Sequence, residues 1–353
     1  MKRLSYHGFI WVIGLVSLLP LDNTLAAGNR SGENLYIQHC SVCHGTKGSG
    51  GVGIPLNLDS FLKSVDNNYL YKTIKLGRTG RTMPAFKKLS DKEINSIVRY
   101  VRSFSQAKPA VFSQEKISGN IQAGKTLFQK KCAVCHGANG KGGTGTGVTF
   151  SRPRDASIIA PALNNSGFLA SASDAMIKHT LMAGREGTPM NSFLKQGLNE
   201  TDINNVVAYV RSFEKQKHVQ KSNQKLNPII TAESPYSLED TLASLKKAVI
   251  GKNFRIIRQQ TVDDGLVEKS KQNNKQIILY FCNFQFLNES LALDPRIGLF
   301  LPCRVTVVQH NNKVEVMAIN PLYLSRIFNN AELDEACKNM TELYTEIIEE
   351  ATL

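Results

Sequence analysis

The sequence predicts a multidomain protein with two all-α domains followed by a C-terminal α/β (α+β) two-layer domain. Three observations lead to this prediction. The 353-residue chain is long enough for two or three domains of about 100–200 residues each. A segment that reads as helical occurs twice in the first two thirds of the chain, and the last third changes in composition to include apolar, strand-like runs.

Matching segments indicate an internal repeat. GENLYIQHCSVCHG (32–45) aligns with GKTLFQKKCAVCHG (124–137) at an offset of 92 residues. IVRYVRSF (97–104) aligns with VVAYVRSF (206–213) at an offset of 109, so the second copy holds 17 extra residues, mostly in the polar insertion TGTGVTFSRPRDAS. Self-similarity of this size predicts two copies of one domain.

Each copy is expected to begin and end with a helix. Ser90 and Glu93 form a capping box before the first closing helix, and Asn199 stands at the cap position of the second. The opening helices carry an early glycine, which lets another helix approach closely. Two crossings are therefore expected: Gly32 and Tyr36 against Tyr100, and Gly124 and Phe128 against Tyr209.

Both copies contain the peptide Cys-x-x-Cys-His-Gly. A zinc site could use paired thiolates with a histidine, whereas a c-type haem uses both thiols as thioether anchors and the histidine as an axial iron ligand. In an exported protein this spacing strongly favours haem c. The motif residues are Cys40, Cys43 and His44 in the first copy and Cys132, Cys135 and His136 in the second.

A methionine loop in each copy offers the sixth iron ligand. Met83 lies in GRTGRTMPAF and Met190 lies in GREGTPMNSF, five residues after matching arginines. Methionine with histidine raises the reduction potential of a haem. Met182 and His179 compete for the role but lie in a run that reads as a helix. A separate methionine loop for each motif argues against one zinc site built from both cysteine pairs.

The ring N–H of each motif histidine is expected to donate to a backbone carbonyl, which orients the ring. Pro55 and Pro161 lie between histidine and methionine in their copies and are candidates for bracing that carbonyl.

Residues 30–104 and 120–213 each resemble a class I cytochrome c domain, with CxxCH near the start, a proline loop, a methionine loop and a closing aromatic helix. The pair is similar to the diheme cytochromes c that carry electrons in bacterial periplasms. The resemblance implies two covalently bound haem c groups. Their iron ligands would be His44, Met83, His136 and Met190.

The N-terminus predicts export. MKRLSYHGFIWVIGLVSLLPLDNTLAAG has a basic start, an apolar run and small residues before a cleavage point, as in a secretory signal peptide. The apolar run is short for a membrane span, and an uncleaved anchor is the alternative.

The net charge of +14 suits an acidic redox partner or an anionic membrane face, or simply reflects solvated lysines. Nucleic acid is not an expected partner.

The last third begins after a charged stretch that reads as a linker. Apolar patterns predict the order α-β-β-β-α, with a hairpin turn at His310–Asn312. The predicted elements are a helix at 236–250, a strand at 275–287, two strands within 303–319 and a helix at 331–351.

This region resembles the family known as domain of unknown function 302, on the residues FCN (281–283), LPCRV (301–305), the INP turn (319–321) and the closing helix. Cys282 and Cys303 could form a disulfide in an oxidising compartment or stay as buried thiols. The resemblance assigns no function to the domain, which would dock a partner, hold a homodimer or bind a ligand.

The predicted function is periplasmic electron transfer between a redox protein donor and an acceptor, such as a membrane-bound respiratory complex. The alternative is a diheme enzyme of the cytochrome c peroxidase kind with one open haem site. The matched methionine loops argue against this enzyme alternative, while the insertion at 142–156 keeps it open.

The predicted domain division is a signal peptide at 1–27, cytochrome c domains at 28–108 and 117–214, a linker at 215–229 and the C-terminal domain at 230–353.

Overall fold

The computed structural model describes residues 31–143, 160–215 and 226–353. The predicted signal peptide, most of the insertion and most of the linker lie outside these ranges. Within the described ranges, no helix is both long enough and apolar enough to cross a membrane.

The first two described ranges contain helices and loops, and no strand is assigned within them. Several of the helices are single turns that join longer ones. In chain order they are α1 Gly32–His39, α2 Ser41–His44, α3 Asp59–Lys63, α4 Asn67–Leu76, α5 Asp91–Arg102, α6 Ile121–Lys131, α7 Ala133–His136, α8 Ser166–Ser171, α9 Asp174–Ala183 and α10 Glu200–Ser212.

The two expected helix crossings are confirmed. A Cβ on Gly32 would lie 2.0 Å from the Ser96 carbonyl oxygen, and one on Gly124 would lie 1.9 Å from that of Asn205. Only glycine therefore allows α1 to contact α5 and α6 to contact α10 so closely. The crossings are filled by aromatic pairs with centroids 5.3 and 5.2 Å apart, namely Tyr36–Tyr100 and Phe128–Tyr209.

The expected helix caps are also present. Ser90 and Glu93 form the capping box of α5, with the Glu93 carboxylate accepting from the Ser90 N–H at 2.9 Å. Asn199 caps α10 together with Asp202. A single hydrophobic cluster joins buried residues of α1, α3, α4 and α5 to those of α6, α8, α9 and α10.

The C-terminal region is a two-layer α+β domain. Its elements are β1 Ile229–Ser234, α11 Leu238–Gly251, β2 Arg255–Thr261, β3 Gln276–Cys282, α12 Phe284–Leu293, β4 Cys303–His310, β5 Lys313–Ile319, α13 Pro321–Ile327 and α14 Asp334–Thr352. The sheet has the order β1-β5-β4-β3-β2, and all neighbouring strands are antiparallel. Alternate side chains of β3, β4 and β5 form one core with α11 and α14, which confirms the predicted two-layer domain.

The predicted order α-β-β-β-α was incomplete. The predicted strand at 275–287 ends at Cys282, because the Asn283 side chain accepts from the Phe286 N–H and starts α12. Strands β1 and β2 and helices α12 and α13 were missed. The predicted hairpin between β4 and β5 is confirmed, with Asn311 and Asn312 at positive φ.

Cys282 and Cys303 are free thiols in this structure. Phe281, not Cys282, pairs with Cys303 across β3 and β4. Successive side chains of a strand point to opposite faces, so the two thiols lie on opposite sides of the sheet. A disulfide would require the backbone to move.

Candidate haem-binding sites

His44 is held between a carbonyl and a glycine. Its Nδ1 lies 2.8 Å from the carbonyl oxygen of Ile54. A Cβ on Gly53 would come within 2.7 Å of the ring, so only glycine lets the backbone pass so close. Burial lowers the pKa of His44, which favours the neutral imidazole. With Nδ1 as the donor, Nε2 is the nitrogen left for a metal.

His136 has an equivalent environment in the second helical segment. Its Nδ1 lies 2.9 Å from the Pro161 carbonyl oxygen, and burial lowers its pKa as well. When the two segments are aligned on Met83 and Met190, Ile54 falls opposite Pro161. The acceptor in the first segment is therefore the residue before Pro55, and the two prolines do not occupy equivalent positions.

The four motif cysteines lie beside these histidines: Cys40 and Cys132 at the junctions of α1 with α2 and of α6 with α7, and Cys43 and Cys135 within α2 and α7. Burial raises the pKa of the Cys40 thiol to about 12 and that of Cys132 to about 11. Within the described part of the chain, no group of three or more His, Cys, Asp or Glu side chains is arranged to hold a metal ion.

The two methionine loops close in the same way. The Arg78 N–H donates to the Met83 carbonyl at 2.9 Å, and the Arg185 N–H donates to that of Met190 at 2.6 Å. Each loop follows a glycine at positive φ, Gly77 or Gly184. Each methionine is thereby fixed between α4 and α5 or between α9 and α10.

All ten residues that the sequence analysis selected line one continuous cavity of about 1020 Å³. Cofactor pockets have volumes of about 300–1,000 Å³, so this cavity has room for a group beside each motif. The competing candidates Met182 and His179 do not line it. The ten residues are Cys40, Cys43, His44, Pro55, Met83, Cys132, Cys135, His136, Pro161 and Met190.

A buried cation supports the fit of a haem. Arg185 lines the cavity, and its buried Nε has no hydrogen-bond partner among the described residues. Burial lowers the pKa of this guanidinium, because removal from water disfavours the charged form. A haem carries propionate groups, which would compensate this charge. The thiols, the buried imidazoles, the loop methionines and this cation together fit a covalently attached haem.

The two helical segments contact each other through reciprocal arginine–phenylalanine pairs. Arg78 lies 5.9 Å from the ring centre of Phe168, and Arg185 lies 5.2 Å from that of Phe61. In the alignment that matches the two methionine loops, Arg78 falls opposite Arg185 and Phe61 falls opposite Phe168. The two pairs therefore resemble the two halves of a symmetric interface, with the cavity continuous across it.

Some cavity residues were missed by the sequence analysis. Ile54 contributes only a backbone carbonyl, which no side-chain pattern reveals. Arg185 was used only to align the methionine loops, although an arginine at the same place in both copies was a usable signal. Asn330 and Glu332 reach the cavity from the C-terminal domain, and nothing in their local sequence indicates this.

Comparison with known families assigns each segment to a class. The family described as cytochrome c oxidase, cbb3-type, subunit III matches residues 27–101, and the family described as cytochrome c matches residues 121–214. The family described as domain of unknown function DUF302 matches residues 230–351. The chain therefore carries two cytochrome c domains and a C-terminal DUF302 domain. Cytochrome c domains imply covalently bound haem c.

Curated relatives include the cbb3-type cytochrome c oxidase subunit CcoP of Azospirillum sp. (strain B510), 28% identical over 51% of this chain and 60% of that protein. The corresponding subunit FixP of Bradyrhizobium diazoefficiens is 29% identical over 50% of this chain and 59% of its own length. The chain thus spans about 60% of these relatives. A crystal structure of an uncharacterised conserved DUF302 protein from Bacillus stearothermophilus is 22% identical, covers 36% of this chain and 99% of its own, and has a TM-score of 0.34.

Proposed function

We propose that this protein is an exported diheme cytochrome c that transfers electrons between a donor and an acceptor protein. Each haem c would be attached by one cysteine pair and ligated by His44 with Met83 or by His136 with Met190. Bound haem supplies one-electron chemistry, while the chain anchors it, fixes both axial ligands and excludes water.

The observation that carries this proposal is the convergence of two complete ligand sets on one cavity. Each set has two thiols, a histidine oriented through Nδ1 and a loop methionine. A haem with both axial positions filled has no open site for substrate, which favours electron transfer over bond chemistry. Because both sites share one cavity, electron transfer between the two haems would take place within the molecule and would need no docking of a second protein.

The proposed domain division follows the sequence, with the cytochrome domains at 28–108 and 117–214, the linker at 215–229 and the C-terminal domain at 230–353. We also propose that residues 1–27 direct export to the periplasm. The relatives are named as cbb3-type oxidase subunits, so a membrane-bound respiratory complex is the proposed acceptor.

Carbon monoxide binding to the reduced holoprotein tests the ligand assignments. We expect two low-spin haems per chain that bind neither carbon monoxide nor peroxide. Met83→Ala and Met190→Ala should each open one haem to carbon monoxide, because a small ligand then occupies the sixth position. Met182→Ala is the matched control, since Met182 lies outside the cavity, and should leave both haems closed.

Carbon monoxide binding to one haem of the unmodified protein would contradict the proposal. It would indicate an open iron site and favour the peroxidase alternative. Opening of a haem by Met182→Ala would instead show that a ligand methionine is misassigned.

A further inference from the structure

The C-terminal domain contacts the methionine loop of the first cytochrome domain. We define the first methionine loop as residues 77–85 and the docking segment as residues 329–332, between α13 and α14. The Ala331 N–H donates to the Gly80 carbonyl at 2.8 Å. Arg81 of the loop forms an ion pair with Glu332. Both side chains are mostly buried, so this contact is better shielded from water than an exposed surface pair.

The side chain of Asn329 makes the densest set of these contacts. Its Nδ2 lies 3.0 Å from the Arg78 carbonyl oxygen, 3.1 Å from that of Met83 and within reach of that of Arg81. Its Oδ1 accepts from the Gly80 N–H at 3.2 Å. An amide offers two donor hydrogens and an acceptor oxygen, so this one side chain serves the three carbonyls, with one hydrogen shared between two of them, and the Gly80 N–H.

The docking segment is held in its conformation by contacts within its own domain. Asn329 has φ 49°, a left-handed conformation that asparagine adopts more readily than most residues. The Asn330 side chain donates to the carboxylate of Asp294 at 3.2 Å. Asp294 is fully buried and is held by Arg296 at 2.7 Å. The contacts that Asn329 makes are therefore pre-organised by its own domain.

The contacts single out the first haem site. In the second methionine loop, Thr188 stands where the first loop has Arg81, so that position has no cation for Glu332. Asn330 and Glu332 also line the cavity. The Met83 carbonyl accepts from both Arg78 within the loop and Asn329 of the C-terminal domain, so the backbone that carries the ligand is held from two domains.

We propose that the C-terminal domain is an intramolecular clamp on the first methionine loop, with Asn329 as its positioning residue. The clamp holds Met83 on the first haem iron and leaves the second haem unaffected. This inference rests on the proposed function, because it requires Met83 to be an iron ligand. It gives the DUF302 domain a role toward this chain itself rather than toward a separate partner.

The test compares imidazole binding to the full-length oxidised holoprotein with and without the Asn329 side chain. Asn329→Gly removes the amide and tolerates the positive φ. We expect one haem to bind imidazole about threefold to tenfold more tightly, the range for loss of one net hydrogen bond. The haem whose affinity changes should be the one that Met83→Ala opens.

Two further variants separate the clamp from a general effect on the domain. Asn253→Gly is the matched control, because Asn253 is exposed in the same domain with φ 62°, and it should leave both affinities unchanged. Asn329→Asp keeps the size but places a carboxylate against three carbonyls, so its effect should be at least that of Asn329→Gly.

Hydrogen exchange gives a readout that does not depend on haem ligation. Asn329→Gly should speed exchange in residues 78–83 and leave residues 185–190 unchanged. Unchanged exchange in 78–83, or equal imidazole effects on both haems, would overturn the clamp. Failure of the proposed function would appear separately, as carbon monoxide binding by the unmodified protein.

Discussion

At the level of single residues, the orientation of His44 depends on the absence of a side chain at Gly53. The ring lies between the Ile54 carbonyl and the Gly53 backbone. A haem ligand must present Nε2 in one direction, and the hydrogen bond at Nδ1 sets that direction. Any side chain at position 53 would compete with the imidazole for the same space.

Gly53→Ala should therefore weaken histidine ligation of the first haem. The new Cβ would meet ring atoms at 2.7–3.0 Å, and overpacking of this kind costs about 1–3 kcal/mol. We expect a high-spin component from one haem in the visible spectrum of the holoprotein. Gly251→Ala is the control, because nothing lies within 4 Å of its Cβ. An unchanged spectrum in Gly53→Ala would mean that the ring does not rest on this glycine.

The residues proposed as haem ligands could be selected from the sequence because each has a short-range signature. Cys-x-x-Cys-His fixes three side chains on one turn, and the methionines stand at matching places after Arg78 and Arg185. The carbonyl acceptor could not be predicted in the same way. Pro55 and Pro161 marked the right loops, but Ile54 and Pro161 supply the oxygen, since any residue can offer a carbonyl.

At the level of elements, one arginine in each cytochrome domain links the closing helix, α5 or α10, to the end of an earlier short helix, α3 or α8. Arg102 donates to the carbonyls of Leu62 and Val65 at the end of α3. Arg211 binds the carbonyls of Leu169 and Ala172 at the end of α8 in the same manner. The domains differ in the third partner, which is neutral Asn67 for Arg102 and buried Asp174 for Arg211.

This difference predicts unequal costs for the same substitution. Arg211→Met leaves the Asp174 carboxylate buried without its closest cation, which costs about 3–5 kcal/mol of unfolding free energy. Arg102→Met leaves only neutral groups without a partner and should cost about 1–3 kcal/mol. Urea unfolding of the holoprotein measures both. Equal losses of unfolding free energy in the two variants would indicate that Lys116, 3.9 Å from Asp174, replaces Arg211 as the cation beside this carboxylate.

The closing helices and the long helices of the C-terminal domain could be predicted because their apolar spacing is regular. Strand β2 was missed because its register shifts between Ile256 and Arg258 and most of its residues are exposed, so the alternation is lost. The predicted strand at 275–287 was too long because apolar residues continue past Asn283, where the cap ends the strand.

At the level of the whole molecule, the three domains meet around the first methionine loop. Arg81 pairs with Glu332 of the C-terminal domain and donates to the Gly143 carbonyl of the second cytochrome domain at 2.8 Å. The Asn329–Met83 contact joins residues 246 positions apart. No local pattern encodes such a contact, so the sequence predicted the domains but not how they dock.

A close backbone contact at Gly167 brings α8 of the second cytochrome domain against the first methionine loop. A Cβ there would lie 2.1 Å from the Gly77 carbonyl oxygen of the first domain. Gly167→Ala should push α8 away from the first methionine loop and separate the two sites, because neither backbone can yield without moving its helix. We expect slower electron equilibration between the haems after rapid photochemical reduction.

Ser60→Ala provides the matched control for Gly167→Ala. Ser60 occupies the position in the first domain that Gly167 occupies in the second, and it donates to the Glu186 carbonyl at 2.6 Å across the same interface. Its replacement removes a hydrogen bond without adding volume, so equilibration should change little. Both haems should stay low-spin in each variant, which shows that the domains remain folded. Equal rates in Gly167→Ala and the unmodified protein would mean that the haem separation does not depend on this contact.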